Sequence, residues 1–83
     1  MAGLVIARRP RVLIGRDARI VREVYAGLAL EGRARLRPGQ RVDVVLPRVD
    51  RPGLIVRRAL VWSWEAAAVG SDGLIYRGFC RWD

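Results

Sequence analysis

Residues 54–82, LIVRRALVWSWEAAAVGSDGLIYRGFCRW, hold two runs of strand-forming residues, Leu54 to Trp64 and Leu74 to Trp82. Branched and aromatic side chains suit a pleated, half-buried surface, and the connection ends in Gly70-Ser71-Asp72-Gly73, strong turn chemistry. Trp62 and Trp64 close the first predicted strand and Trp82 closes the second. Two strands alone leave an apolar face uncovered and backbone donors open on both edges. The residues before Leu54 must therefore supply further strands.

They do so at short intervals. Arg48 to Gly53 reads as a loop whose Arg51-Pro52-Gly53 turns the chain into the hairpin. Before it, Gln40 to Leu46 alternates Val42, Val44 and Leu46 against Arg41, Asp43 and Val45, and Pro47 ends the strand. Pro38-Gly39 supplies a turn, with proline fixing the first corner and glycine the positive φ of the second. Leu28, Leu30, Ala34 and Leu36 fall on one face and Glu31, Arg33, Arg35 and Arg37 on the other. That segment is one long strand, or two short ones bent at Gly32. Arg19 to Tyr25 reads as another strand, with Gly27 marking a bend or bulge after it. Val12 to Gly15 is a short apolar run and Gly15 to Asp17 a break. In Arg8-Arg9-Pro10-Arg11, proline blocks a helix and favours extended backbone at Arg9, so residues 1–10 form a basic lead-in. Glu65 to Ala68 allows one helical turn, too short to be stable alone.

About six short strands with glycine or proline at almost every junction predict an all-β domain without a long helix. Closure removes exposed edges, so the expectation is a small six-stranded antiparallel β-barrel occupying residues 1–83 as a single domain. At 83 residues one core is just sufficient, which favours compact closure or a homo-oligomer. The chain is 52% hydrophobic, enough for a core. No apolar run approaches the roughly 20 residues that span a bilayer, and Met1 to Ala7 lacks the basic start of a secretory signal. The predicted localisation is cytoplasmic.

The inventory of reactive groups argues against an enzyme. Histidine, threonine, asparagine and lysine are absent, and Ser63 and Ser71 have only carboxylates to serve as a base. The acidic residues are dispersed, with no close pair for acid and base work. A single cysteine, Cys80, gives neither a disulfide nor a metal-ligand pair and reads as a small buried hydrophobe. No cofactor or metal is expected.

Binding chemistry is better represented. All 16 basic residues are arginine, for a net charge of +8. Arginine's planar fork suits phosphate and carboxylate, which points to a phosphate-bearing partner; base-composition bias and the wet faces of a sheet account for the same excess. Arg8, Arg9 and Arg11 are close enough to converge on one phosphate-rich ligand, or else form a flexible basic lead-in. The Arg33, Arg35, Arg37 row reads as a solvated strand face, and the tryptophans as core or barrel-end residues.

Four segments in this order are similar to the PilZ domain: Ala26-Gly27-Leu28-Ala29-Leu30, Leu36-Arg37-Pro38-Gly39-Gln40-Arg41-Val42-Asp43-Val44, Ala59-Leu60-Val61-Trp62 and Tyr76-Arg77-Gly78-Phe79. The resemblance runs from about Arg8 onward. It implies a small β-barrel that, in many family members, binds the bacterial second messenger cyclic di-GMP. Binding members carry an arginine pair spaced R-x-x-x-R and then D/N-x-S-x-x-G. Here Arg8, Arg9 and Arg11 occupy the first region without that spacing. With Gly27 as the motif glycine, the serine position holds Val24 and the acidic position Arg22. The family also often adds a helix after the last strand; without one, a barrel end and its tryptophans are open to self-association or docking.

The resemblance implies a non-catalytic signalling or interaction module, with Arg8, Arg9 and Arg11 as phosphate ligands of cyclic di-GMP and Gly27 allowing close backbone approach. Two alternatives stay open. One is a barrel that binds only a protein partner. The other is an arginine-driven nucleic-acid-binding barrel.

Overall fold

The computed structural model describes residues 9–83, which form six strands and no helix. They are β1 (Arg11–Leu13), β2 (Ala18–Val24), β3 (Gly27–Gly32), β4 (Arg41–Pro47), β5 (Leu54–Gly70) and β6 (Gly73–Trp82). All six belong to one sheet in the order β1-β4-β5-β6-β3-β2. No helix among the described residues is long and apolar enough to cross a membrane.

The closed, purely antiparallel barrel expected from the sequence is corrected in two respects. β1 runs parallel to β4, while every other neighbouring pair is antiparallel. Parallel pairing needs a long crossover; the β2–β3 hairpin and the segment after it supply one. The sheet is also open, with β1 and β2 at its two edges. The reason is local. β1 has three residues, and the chain then turns through Gly15 at φ 92° with the Asp17 carboxylate accepting the Leu13 N–H at 3.1 Å. That turn leaves room for a single bridge, Ile14 to Ala18, before β2 departs.

β5 joins the two halves of the sheet. Leu54 to Leu60 pairs with β4, and Ala59 to Gly70 pairs with β6. Register shifts between Val61 and Ser63 and between Ala66 and Ala68 mark bulges, which bend a strand and increase its twist. The curl brings Val12, Leu28, Leu30, Val42, Val44, Ala59, Val61 and Cys80 together, all fully buried. The predicted strand end at Trp64 and the helical turn at Glu65 to Ala68 are both replaced by continuous strand. β6 offers a backbone partner along this stretch, including Glu65 with Arg77 and Ala68 with Ile75, and that ladder outweighs the helical preference of three alanines.

After Gly32 the chain leaves the sheet. Residues 33–40 cross to β4 as irregular backbone, so the second half of the predicted Leu28 to Leu36 strand does not form, and Arg33, Arg35 and Arg37 lie on a crossover. Its Pro38-Gly39 turn is as predicted: Gly39 has φ 87° and the Gln40 N–H donates to the Arg37 carbonyl at 3.0 Å. Leu36 is buried, and the Trp64 indole N–H donates to the Ala34 carbonyl at 2.9 Å. Pro47 ends β4 and Arg48 to Gly53 forms the loop, both as the sequence suggests.

Cys80 is fully buried on β6, and burial pushes its thiol up from 9.0 to about 11. A raised thiol pKa favours the protonated folded form, so its contribution is complete below the unfolded value and is lost as pH rises through the folded one. Urea titrations at pH 9 and pH 11 should show wild type losing about 2 kcal/mol more than Cys80→Ala over that interval. Equal losses in the two proteins would show that the thiol is not held neutral.

Candidate functional site

The β2–β3 hairpin reverses through two residues, because Val24 pairs directly with Gly27 and leaves Tyr25 and Ala26 as the turn. The Trp82 N–H donates to the Ala26 carbonyl at 2.8 Å, which ties this turn to the end of β6. On β5, Arg57 shares a face with Ala59 and Val61, yet the β5–β6 ladder begins one step later, at Ala59 with Trp82. Its side chain consequently lies past the buried layer. The Arg57 guanidinium carbon sits 3.9 Å from the centroid of a Trp82 ring, a close cation–π contact.

These residues line a cleft of about 330 Å³ bounded by Tyr25, Ala26, Arg57, Arg81 and Trp82. Tyr25 is fully exposed, projecting from the turn. The cleft therefore combines the Arg57 guanidinium with two aromatic rings, and among the described residues no carboxylate lines it. Such a set favours a ligand that carries both negative charge and a flat ring.

Four arginines elsewhere are held by carboxylates. Glu31 accepts from Arg77 Nε at 3.0 Å and from Arg19 Nε at 3.1 Å, and these hydrogen bonds, Arg77 first, hold its carboxyl below the usual range. Arg33 pairs with Asp72 and Arg41 with Asp83, each at 3.0 Å. Arg57, like most of the described arginines, has no carboxylate partner among the described residues.

The residues singled out from the sequence are distributed differently. Arg8 lies outside the described residues. Arg9 is exposed just ahead of β1, and Arg11 is its exposed first residue, opposite Asp43. Gly27 opens β3. A Cβ there would run into the Cys80 carbonyl oxygen and lie 2.9 Å from Arg81 Cα, so the backbone that approaches Gly27 closely is that of β6. β4, β5 and β6 stand between β1 and β3 in the sheet, so Arg9 and Arg11 are not on a strand next to Gly27. Val24 and Arg22, at the remaining motif positions, are exposed on the β2 edge.

Sequence reasoning singled out neither Arg57 nor Tyr25 nor Arg81. Arg57 carried a signal, since it breaks the inward apolar alternation that Ala59 and Val61 continue. Tyr25 and Arg81 carried none. Among the described residues no group of three or more histidine, cysteine or carboxylate side chains is placed to hold a metal ion. No family model, no curated protein and no solved structure matches this chain.

Proposed function

We propose that this protein is a non-catalytic, PilZ-like cytoplasmic binding module whose ligand is a cyclic dinucleotide, cyclic di-GMP being the one the resemblance implies. The observation that carries this reading is the Arg57–Trp82 pair at 3.9 Å in an open cleft beside the turn that leads into Gly27. A phosphate replaces water at Arg57 by charge-assisted hydrogen bonds, while a guanine ring lies against Trp82 or Tyr25. Stacking takes over the role that an acid and a serine have in consensus members, since Arg22 and Val24 stand at those positions. Arg8, Arg9 and Arg11 supply further positive charge that draws the anion in.

Calorimetry with cyclic di-GMP tests this. Wild type should bind, and Arg57→Ala should bind at least tenfold more weakly, because a hydrogen bond to a charged group is worth about 1.5–3 kcal/mol. Arg57 is exposed, so the variant should keep its fold, which circular dichroism checks. No heat from wild type at tens of micromolar protein rejects nucleotide binding, and an unchanged affinity in Arg57→Ala rejects this cleft as its place.

A further inference from the structure

The outer face of the sheet carries a second set of groups. Val42 and Val44 on β4, Ala59 and Val61 on β5, and Cys80 on β6 are fully buried. Alternation therefore turns Arg41 and Asp43, Arg58 and Leu60, and Arg81 outward. The register aligns them into two rows across neighbouring strands. Arg11, Asp43 and Arg58 form one, and Arg41, Leu60 and Arg81 the next.

Trp62 stands beside these rows. It is the extra residue of the bulge between Val61 and Ser63, with no partner on β6, and it is 59% exposed. Bulges re-aim a side chain away from the ladder. Here the indole is turned to solvent with Arg81 over its ring at 5.0 Å. Burial does not explain this tryptophan: Trp64, two residues on, is 8% exposed in the core. Two carboxylates share the face; Asp83 is engaged by Arg41 at 3.0 Å, and Asp43 lies between Arg11 and Arg58. The arginines keep the excess.

We propose that this outer face binds single-stranded nucleic acid, with Trp62 as the base-stacking platform and Arg11, Arg58 and Arg81 tracking the phosphates. Strands lie about 4.8 Å apart, so Arg11 and Arg58, with β4 between them, stand roughly 10 Å apart, within reach of phosphates one or two nucleotides apart on an extended strand. An exposed aromatic among arginines on a sheet face suits unpaired bases, whose rings are free to stack, and suits a duplex poorly, since its rings are already stacked. A net charge of +8 adds long-range attraction for a polyanion.

The experiment is fluorescence anisotropy of the whole chain with a labelled 15-nucleotide oligo-dT, the matching oligo-rU, a 15-base-pair duplex, and labelled poly-glutamate. Both single strands should bind more tightly than the duplex and the polypeptide, with affinity falling as salt rises. Trp62→Ala should weaken single-strand binding about tenfold with its thermal melt unchanged. Arg58→Ala should weaken every single strand alike and reduce the magnitude of the logarithmic salt slope by about 0.7. Absence of binding at low salt overturns the proposal. So does a duplex bound as tightly as a single strand, poly-glutamate bound with the same dependence on Trp62, or a Trp62→Ala affinity within twofold of wild type. None of these outcomes bears on Arg57, so the cyclic dinucleotide reading stands or falls separately.

Discussion

Gly78→Ala should destabilise the protein by about 3 kcal/mol, and Gly78→Val by more, as measured by urea unfolding. A Cβ at this position would collide with the Ser63 carbonyl oxygen and lie 2.6 Å from the Trp64 ring. The first obstacle is backbone, so no rotamer change relieves it. Crowding a packed site costs about 1–3 kcal/mol even where side chains can give way. Here β6 must move away from β5, the pairing that joins the two halves of the sheet. A domain of this size has roughly 4–12 kcal/mol of total stability, so the loss is a large share of it. Gly70→Ala is the matched control. It lies on the same strand pair without a positive φ, and its nearest neighbour is the flexible end of Ile75 at 3.1 Å. It should unfold within about 0.5 kcal/mol of wild type. Equal stability of the two variants would mean that β5 and β6 do not approach as closely at Gly78 as described.

Period and punctuation identify most of the strands, because both are local properties. Val42 and Val44 alternate with Arg41 and Asp43, and Pro38-Gly39 and Gly70 to Gly73 are turns by their own chemistry. Where the sequence misleads, a distant partner decides. Ala66 to Ala68 would be helical by propensity, but β6 runs alongside and makes strand the paired state. Arg33 to Arg37 has the period of a strand and no neighbour to pair with, since the chain must cross to β4, and it stays irregular. The open edge between β1 and β2 follows from the three-residue length of β1, which no alternation rule fixes. The candidate site was less legible for the same reason. Arg57, Arg81 and Trp82 meet Tyr25 because β5, β6 and the β2–β3 turn end together, a coincidence of register across three strands.

Trp64→Ala should cost about 3–5 kcal/mol, the range for removing a large aromatic from a core. The indole is 8% exposed and stacks near Tyr76 with centroids 6.3 Å apart and planes 16° apart. It also has a task that a purely apolar ring could not perform. Its N–H donates to the Ala34 carbonyl at 2.9 Å, fastening the irregular crossover over the open end of the sheet, where Leu36 is buried. Trp64→Phe separates the two contributions. Phenylalanine keeps much of the burial and the ring contact with Tyr76 but cannot donate, so the loss should fall to roughly 1–3 kcal/mol, mostly from the unpartnered carbonyl. Hydrogen exchange gives an independent reading. In Trp64→Phe the Gly39 amide, which donates to the Val61 carbonyl at 2.7 Å, should exchange faster than in wild type, while the Val12 and Val44 amides follow global stability alone. The mechanism is that a crossover with the added tether at Ala34 opens less often than one without it. Uniform acceleration across all amides would instead make Trp64 a space-filling residue, and the tether would have no separate part in holding residues 33–40.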